Sequence, residues 1–288
     1  MPVRFVNAHP TAAGLLQDFS LEMTGKDVEK LEAARDSIPP GTRINVTFLG
    51  NEDLEMRLNA ARAVLRLGFT PVPHISARRL HSPAMLEEFL GALQAEGASR
   101  DVFVVGGDPA IPVGPYGESL AVIRSGILER FGVEHVGISG YPEGHPDISN
   151  RALWTALEAK SAALQAQNLP GVILTQFGFD VDAVIAWVEA VRARGIDLPI
   201  RIGVPGVAGV KRLLSYAARF GVGASAGIAK KYGFSLTNLL GTAGPDTFLR
   251  ALAERYDREM HGELQLHFYT FGGLKATSDW IADFRLER

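Results

Sequence analysis

The 288-residue sequence contains no cysteine. Disulfides, a thiol nucleophile, Cys-ligated zinc and Cys-bound iron–sulfur clusters are therefore excluded. It has no uninterrupted apolar run near the ~20 residues of a membrane helix. Its first residues, Met1-Pro-Val-Arg-Phe5, lack the basic-then-apolar pattern of an export signal. The expectation is a soluble cytoplasmic protein with no membrane partner. Nor is there an excess of one charge: 29 Lys+Arg stand against 32 Asp+Glu, a formal net charge of −3. The basic residues are interspersed with acidic ones, so no nucleic-acid partner is expected. A Pro/Gly/Ser linker, a long-period repeat and a low-complexity tract are all missing, which makes the chain, residues 1–288, one domain. The sequence leaves monomer and homo-oligomer both open.

Several familiar motifs are absent as well. There is no GxxxxGK[ST] phosphate loop, no HExxH, no GxSxG elbow, and the 7 histidines lack metal-ligand spacing. The glycine-rich stretch 221–227 loosely imitates a dinucleotide fingerprint, but it follows a predicted helix rather than a strand and is read as a loop. The pairs Arg78-Arg79 and Lys230-Lys231 read as solvated, or as contacts for an anionic ligand.

What is present is an ordinary globular composition, 47% hydrophobic and 21% charged. Eight short apolar or alternating runs stand near turn signals, at 19–23, 43–49, 70–76, 101–106, 135–141, 171–179, 198–204 and 266–271. Several are rich in Val, Ile and Phe, as buried strands should be. Helical patterns fill the gaps. Leu54, Leu58, Ala61 and Leu65 share one face. Leu120, Ile123, Ile127 and Phe131 predict another helix. Asp180 and Asp182 sit where a helix carrying Val184, Ile185, Val188 and Val191 would begin. Two or three helices are expected between Lys211 and Met260, with a break at 241–245. Residues 1–17 read as an irregular or helical lead-in. Strand–helix alternation argues for a parallel sheet, and eight strands in this length suit an α/β (β/α)8 TIM barrel. A doubly wound open sheet is the alternative.

A barrel gathers the C-terminal ends of its strands at one rim. The polar residues that fall there are Glu22, Thr47, His74, Asp108, Tyr141, His145, Gln176, His267, Tyr269 and Thr270. Singly, each has a packing or turn explanation. Together, drawn from distant stretches, they read as a site.

Those residues stand in segments that resemble the catalytic barrel of the methylenetetrahydrofolate reductase family, over nearly the whole chain and in the same order. The segments are Phe19-Ser-Leu-Glu22, Val46-Thr47, Pro73-His74, Gly107-Asp108-Pro109, Tyr141-Pro-Glu-Gly-His-Pro146, Leu174-Thr-Gln-Phe-Gly-Phe-Asp180 and His267-Phe-Tyr-Thr270. The resemblance implies interconversion of 5,10-methylenetetrahydrofolate and 5-methyltetrahydrofolate, with hydride from NADH or NADPH through FAD. It makes Glu22 the general acid at N10, a role that needs an environment favouring the protonated carboxyl. It places Asp108 on the edge of the pterin and Gln176 on its ring, with Phe179 and Tyr269 also against the substrate. It makes Thr47, His74, Gly107, Asp108, Tyr116, Gly117, Tyr141, His145 and Lys160 flavin contacts. The sequence departs from the family where Gly106 replaces the arginine of an Arg-Gly-Asp turn, where Val210 replaces an aromatic after the seventh strand, and where Gly272-Gly273 replace Asn-Arg. Two alternatives follow: direct hydride transfer from the nicotinamide without flavin, and a non-redox folate-binding or methyl-transfer component.

Overall fold

Eight parallel strands close into a barrel in the computed structural model, which describes residues 11–221 and 241–286. They are β1 (Phe19–Met23), β2 (Arg43–Val46), β3 (Thr70–Ser76), β4 (Asp101–Val105), β5 (His135–Gly140), β6 (Gly171–Phe177), β7 (Ile200–Pro205) and β8 (Leu264–Tyr269). Each pairs with its neighbours in sequence, and β1 closes the ring on β8, with Ser20 opposite His267. The open-sheet alternative is thereby excluded. Residues 222–227 of the glycine-rich stretch and Lys230-Lys231 lie outside the described residues.

The helices form because apolar residues recur at helical spacing behind polar caps. In α1 (Leu54–Arg66) the Asp53 carboxylate accepts from Met56 N at 2.8 Å. In α2 (Pro83–Ala95) Ser82 caps, and Leu86, Phe89, Leu90 and Leu93 are buried. In α3 (Val181–Ala193) Asp180 accepts from Asp182 N, and the expected stripe of Val184, Ile185, Val188 and Val191 is buried. Such caps satisfy orphan N–H groups at about 1 kcal/mol each.

The expected single helix over Leu120–Phe131 is instead two short pieces, Ser119–Ile123 and Ile127–Arg130. Gly126, the residue before the second piece, lies between them at φ 69°, a left-handed conformation that no continuous helix contains and that glycine adopts without steric cost. Between Lys211 and Met260, the described helices are α4 (Val210–Arg219), Asp246–Arg255 and Arg258–His261. The expected break holds Thr242–Ala243, which pairs antiparallel with Ala208–Gly209.

The main core lies between the strands and the outer helices. The barrel axis differs. Its apolar cluster is small, Val72, Phe103 and Leu174 with Val105 and Tyr269 against it. Buried polar side chains occupy much of the rest: Ser20, Asn45, His74, Arg201 and His267. Polar groups sealed from water need partners, and neighbouring strands supply most of them to one another inside the barrel. Asn45 Nδ2 lies 3.2 Å from His74 Nε2, and Ser20 Oγ lies 2.9 Å from His267 Nδ1.

Candidate active site

A cavity of about 940 Å³ opens at the C-terminal ends of the strands. Glu22, Thr47, His74, Gly107, Asp108, Tyr141, Gln176, Tyr269 and Thr270 all line it, so nine of the residues chosen from sequence meet at one rim. Glu22 is next to last in β1, and its side chain is 20% exposed. Its backbone carbonyl accepts from Thr270 Oγ1 at 2.7 Å, which ties the ends of β1 and β8 together. Gln176 projects from β6 beside a register shift in the β6–β7 pairing. Thr175 Oγ1 takes the Gly203 N–H there at 2.8 Å, and a Cβ on Gly203 would press against the Thr175 carbonyl at 2.4 Å. Close backbone approach thus sets how Gln176 enters the cavity.

Burial controls the ionisation of the groups around Glu22. Desolvation lowers His74 from 6.5 to about 4, against the opposing pull of Glu22. The same cause lowers His267, again opposed by Glu22. Tyr269 is raised well above its ordinary value, first by desolvation and then by the charge of Glu22. Its hydroxyl donates to the Thr175 carbonyl at 3.0 Å. Both imidazoles are therefore neutral near pH 7 and the phenol stays protonated. Two buried polar atoms here have no hydrogen-bond partner among the described residues, Thr47 Oγ1 and His267 Nε2.

Asp108 is paired rather than free. The Arg79 guanidinium donates to it, and the Asp108 side chain is 77% exposed. Gly107 makes this turn at φ 93°, and a Cβ there would stand 2.1 Å from Ser76 Oγ. The neighbouring Arg78 is half-buried and also engaged. It donates to the Gly117 carbonyl at 2.8 Å and to the Pro109 carbonyl at 3.3 Å, tying two loops together.

The family model for methylenetetrahydrofolate reductase matches residues 27–278. The chain belongs to the methylenetetrahydrofolate reductase family. It is 36% identical over 83 residues to methylenetetrahydrofolate reductase 2 of Saccharomyces cerevisiae, covering 29% of this chain and 12% of that protein. It is 39% identical over 72 residues to methylenetetrahydrofolate reductase 1 of Schizosaccharomyces pombe, covering 24% of this chain and 11% of that protein. The matched stretch thus spans about a tenth of each relative. Dihydropteroate synthase from Thermus thermophilus aligns over 95% of this chain and 96% of its own, at 17% identity and TM-score 0.49.

Other residues that the reductase-family resemblance singles out lie outside the cavity wall. Tyr116 is buried in the hydrophobic core. The Gly117 carbonyl is taken by Arg78. His145 packs edge-on to Tyr141, and its Nδ1 accepts from Asp147 N at 3.1 Å. Lys160 is buried on the helix Asn150–Ala166 and donates to Ser139 O and Oγ at 3.4 and 3.3 Å. Desolvation lowers it from 10.5 to about 8. Phe179 is fully buried, and its N–H donates to Glu143 Oε1 at 2.8 Å. The glutamate of Tyr141-Pro-Glu143 therefore anchors the turn into α3.

Among the flavin-side residues, Thr47, His74, Gly107, Asp108 and Tyr141 face the cavity, and the unpartnered Thr47 hydroxyl suits a polar ring edge. The Gly117 carbonyl, His145 Nδ1 and the Lys160 ammonium are hydrogen-bonded within the protein, and the Tyr116 ring is packed inside it. The set fits a flat ring at the mouth.

Sequence reasoning missed an aromatic wall. Tyr216 and Phe220 project from the C-terminal end of α4, Phe271 follows β8, and all three line the cavity. Tyr216 stacks on Phe271 with centroids 4.0 Å apart and planes 10° apart. Val210, which stands where the family has an aromatic, is buried. The i,i+4 spacing of Tyr216 and Phe220 was the available signal. Arg79 was noted only as half of a basic pair, and its bond to Asp108 was not foreseen, because nothing local links the two.

A second cavity of about 580 Å³ opens at the opposite mouth, lined in part by Arg43, Asp101, His135 and Arg201. Its charges are matched internally. Asp18 pairs with Arg201 at 3.0 Å and Arg43 at 3.2 Å, and Asp101 lies 3.5 Å from His135. Barrel chemistry sits at the C-terminal face, and none of the residues chosen from sequence lines this lower mouth. Among the described residues, no helix is long and apolar enough to cross a membrane.

Proposed function

We propose that this chain interconverts 5,10-methylenetetrahydrofolate and 5-methyltetrahydrofolate, with NADH or NADPH as the hydride source. The observation that carries the reading is the meeting of Glu22, Asp108 and Gln176 on one cavity in a member of this family. Glu22 gives a proton to N10 as the five-membered ring opens, breaking the bond from N10 to the bridging carbon and leaving a 5-iminium cation. Hydride adds to the iminium carbon and forms the methyl group. Glu22 then recovers a proton from solvent. Gln176 offers both donor and acceptor to the pterin ring. Asp108 holds its amino edge, which requires Arg79 to share or release the carboxylate. Tyr216 and Phe271 present a flat face for stacking.

FAD as hydride carrier remains the proposal that the motif resemblance supports. Direct transfer from nicotinamide to folate is the second reading. The specific support for it is that Tyr116, Gly117, His145 and Lys160 are engaged within the protein. A non-redox folate-binding or methyl-transfer component is the least supported. We place the activity in the cytoplasm, with 5-methyltetrahydrofolate supplied to methionine biosynthesis.

An absorbance spectrum of the purified protein, before and after FAD addition and desalting, separates these routes. Flavin bands near ~450 nm that bleach with NADH or NADPH support the carrier. Folate-dependent nicotinamide oxidation unchanged by added FAD supports direct transfer. Folate binding with no nicotinamide oxidation defeats both.

A further inference from the structure

The polar pair beneath Glu22 has the geometry of a device that orients it. Ser20 and His267 face each other across the β1–β8 pairing, both fully buried, with Ser20 Oγ 2.9 Å from His267 Nδ1. No other hydrogen bond of the Ser20 hydroxyl is found among the described residues. A hydroxyl proton sealed from water needs an acceptor, and Nδ1 is the acceptor at hand. With Nδ1 accepting, a neutral imidazole carries its proton on Nε2. That nitrogen has no hydrogen-bond partner and lies 3.7 Å from Glu22 Oε2, just beyond bonding distance.

We infer that Ser20 and His267 are a positioning pair for Glu22: the Ser20 hydroxyl fixes the His267 tautomer, and Nε2–H holds one carboxyl oxygen so that the other faces the substrate. The inference rests on the reading of Glu22 as the acid. When Glu22 has given up its proton, Nε2–H is also the donor that receives the resulting charge. His267 does this as a neutral donor, because burial opposes its protonation. The other titratable groups facing Glu22 and His267 are His74 from β3, Tyr269 from β8, Tyr141 after β5 and Arg201 from β7. None of these supplies a hydrogen bond to the Glu22 carboxyl in the described structure.

The test uses full-length Ser20→Ala, His267→Gln and His267→Phe. In Ser20→Ala, kcat for folate-dependent nicotinamide oxidation falls roughly tenfold or more, within the range of acid–base contributions. KM for folate and nicotinamide stays within about twofold. Loss of a donor to the carboxylate makes Glu22 harder to deprotonate, so the alkaline limb of the kcat–pH profile moves to higher pH. His267→Gln, which keeps an N–H, recovers part of the kcat lost in His267→Phe. Nitrogen-15 NMR of the wild-type histidines shows His267 neutral and protonated on Nε2. Folded variants with wild-type kcat and an unmoved alkaline limb would overturn the inference, as would an Nδ1-protonated His267. A wild-type protein without folate-dependent turnover would instead defeat the reading of function, and the NMR result would still decide the tautomer.

Discussion

His74 gives the barrel a built-in sensitivity to acid. It is buried against Asn45 and Phe103, and its pKa lies at about 4 against 6.5 for the free side chain. The folded state therefore resists a proton that the unfolded chain accepts. Stability from this group is fully present above pH 6.5 and is lost as pH falls toward 4. At 1.36 kcal/mol per pH unit, going from pH 7 to 4.5 removes about 2.5 kcal/mol through His74 alone. Protonation would also put an N–H where Asn45 Nδ2 now donates. The assay is urea unfolding of wild type and His74→Gln at both pH values. Carboxylates titrate in both proteins, so the difference between the two slopes isolates His74. Wild type should lose about 2.5 kcal/mol more than the variant over this interval. A difference below about 0.5 kcal/mol would refute the claim that the barrel seals His74 from protons.

Lys160→Met should stabilise the protein at pH 7. The charged lysine is held at about 8 instead of 10.5, a burden of up to ~3 kcal/mol, reduced by the lost bonds to Ser139. The gain should shrink as pH rises from 8 to 10.5, where the unfolded lysine also loses its proton, and urea titrations across that range check it. Gly107→Ala should cost about 1–3 kcal/mol, because φ 93° and the 2.1 Å approach to Ser76 Oγ both oppose a Cβ. It should also weaken folate binding in a fluorescence titration by displacing Asp108. Phe177→Ala should cost about 3–5 kcal/mol in thermal or urea unfolding. That ring is fully buried at the centre of an aromatic group with Phe179, Phe220, Tyr269 and Phe271.

The barrel was legible because its elements are locally determined. β1 and β3 occupy the spans expected from their apolar runs, and the stripe of α3 is buried as its spacing requires. Convergence of Glu22, Asp108 and Gln176 followed from parallel strands of one polarity, since each stands at a C-terminal strand end. Features made by tertiary contact were not legible. Arg79 meets Asp108 across two loops. Tyr216 and Phe271, distant in sequence, stack into one wall. Lys160 looks available in sequence, yet the fold buries it against Ser139. The Leu120–Phe131 stripe looked continuous, and only the left-handed Gly126 divides it. His267 read as a strand-end histidine with no evident partner. Its partners are set by the β1–β8 register, which places it against Ser20 and below Glu22.

Replacing Glu22 alone tests most directly its proposed role as the acid of a folate reductase. Wild type and Glu22→Gln should be compared with 5,10-methylenetetrahydrofolate and NADH or NADPH, measuring nicotinamide oxidation, 5-methyltetrahydrofolate formed and folate binding. The wild type should form one 5-methyltetrahydrofolate per nicotinamide oxidised. In the variant, turnover should fall roughly 100-fold or more with folate still bound. Turnover by Glu22→Gln at the wild-type rate would contradict that role.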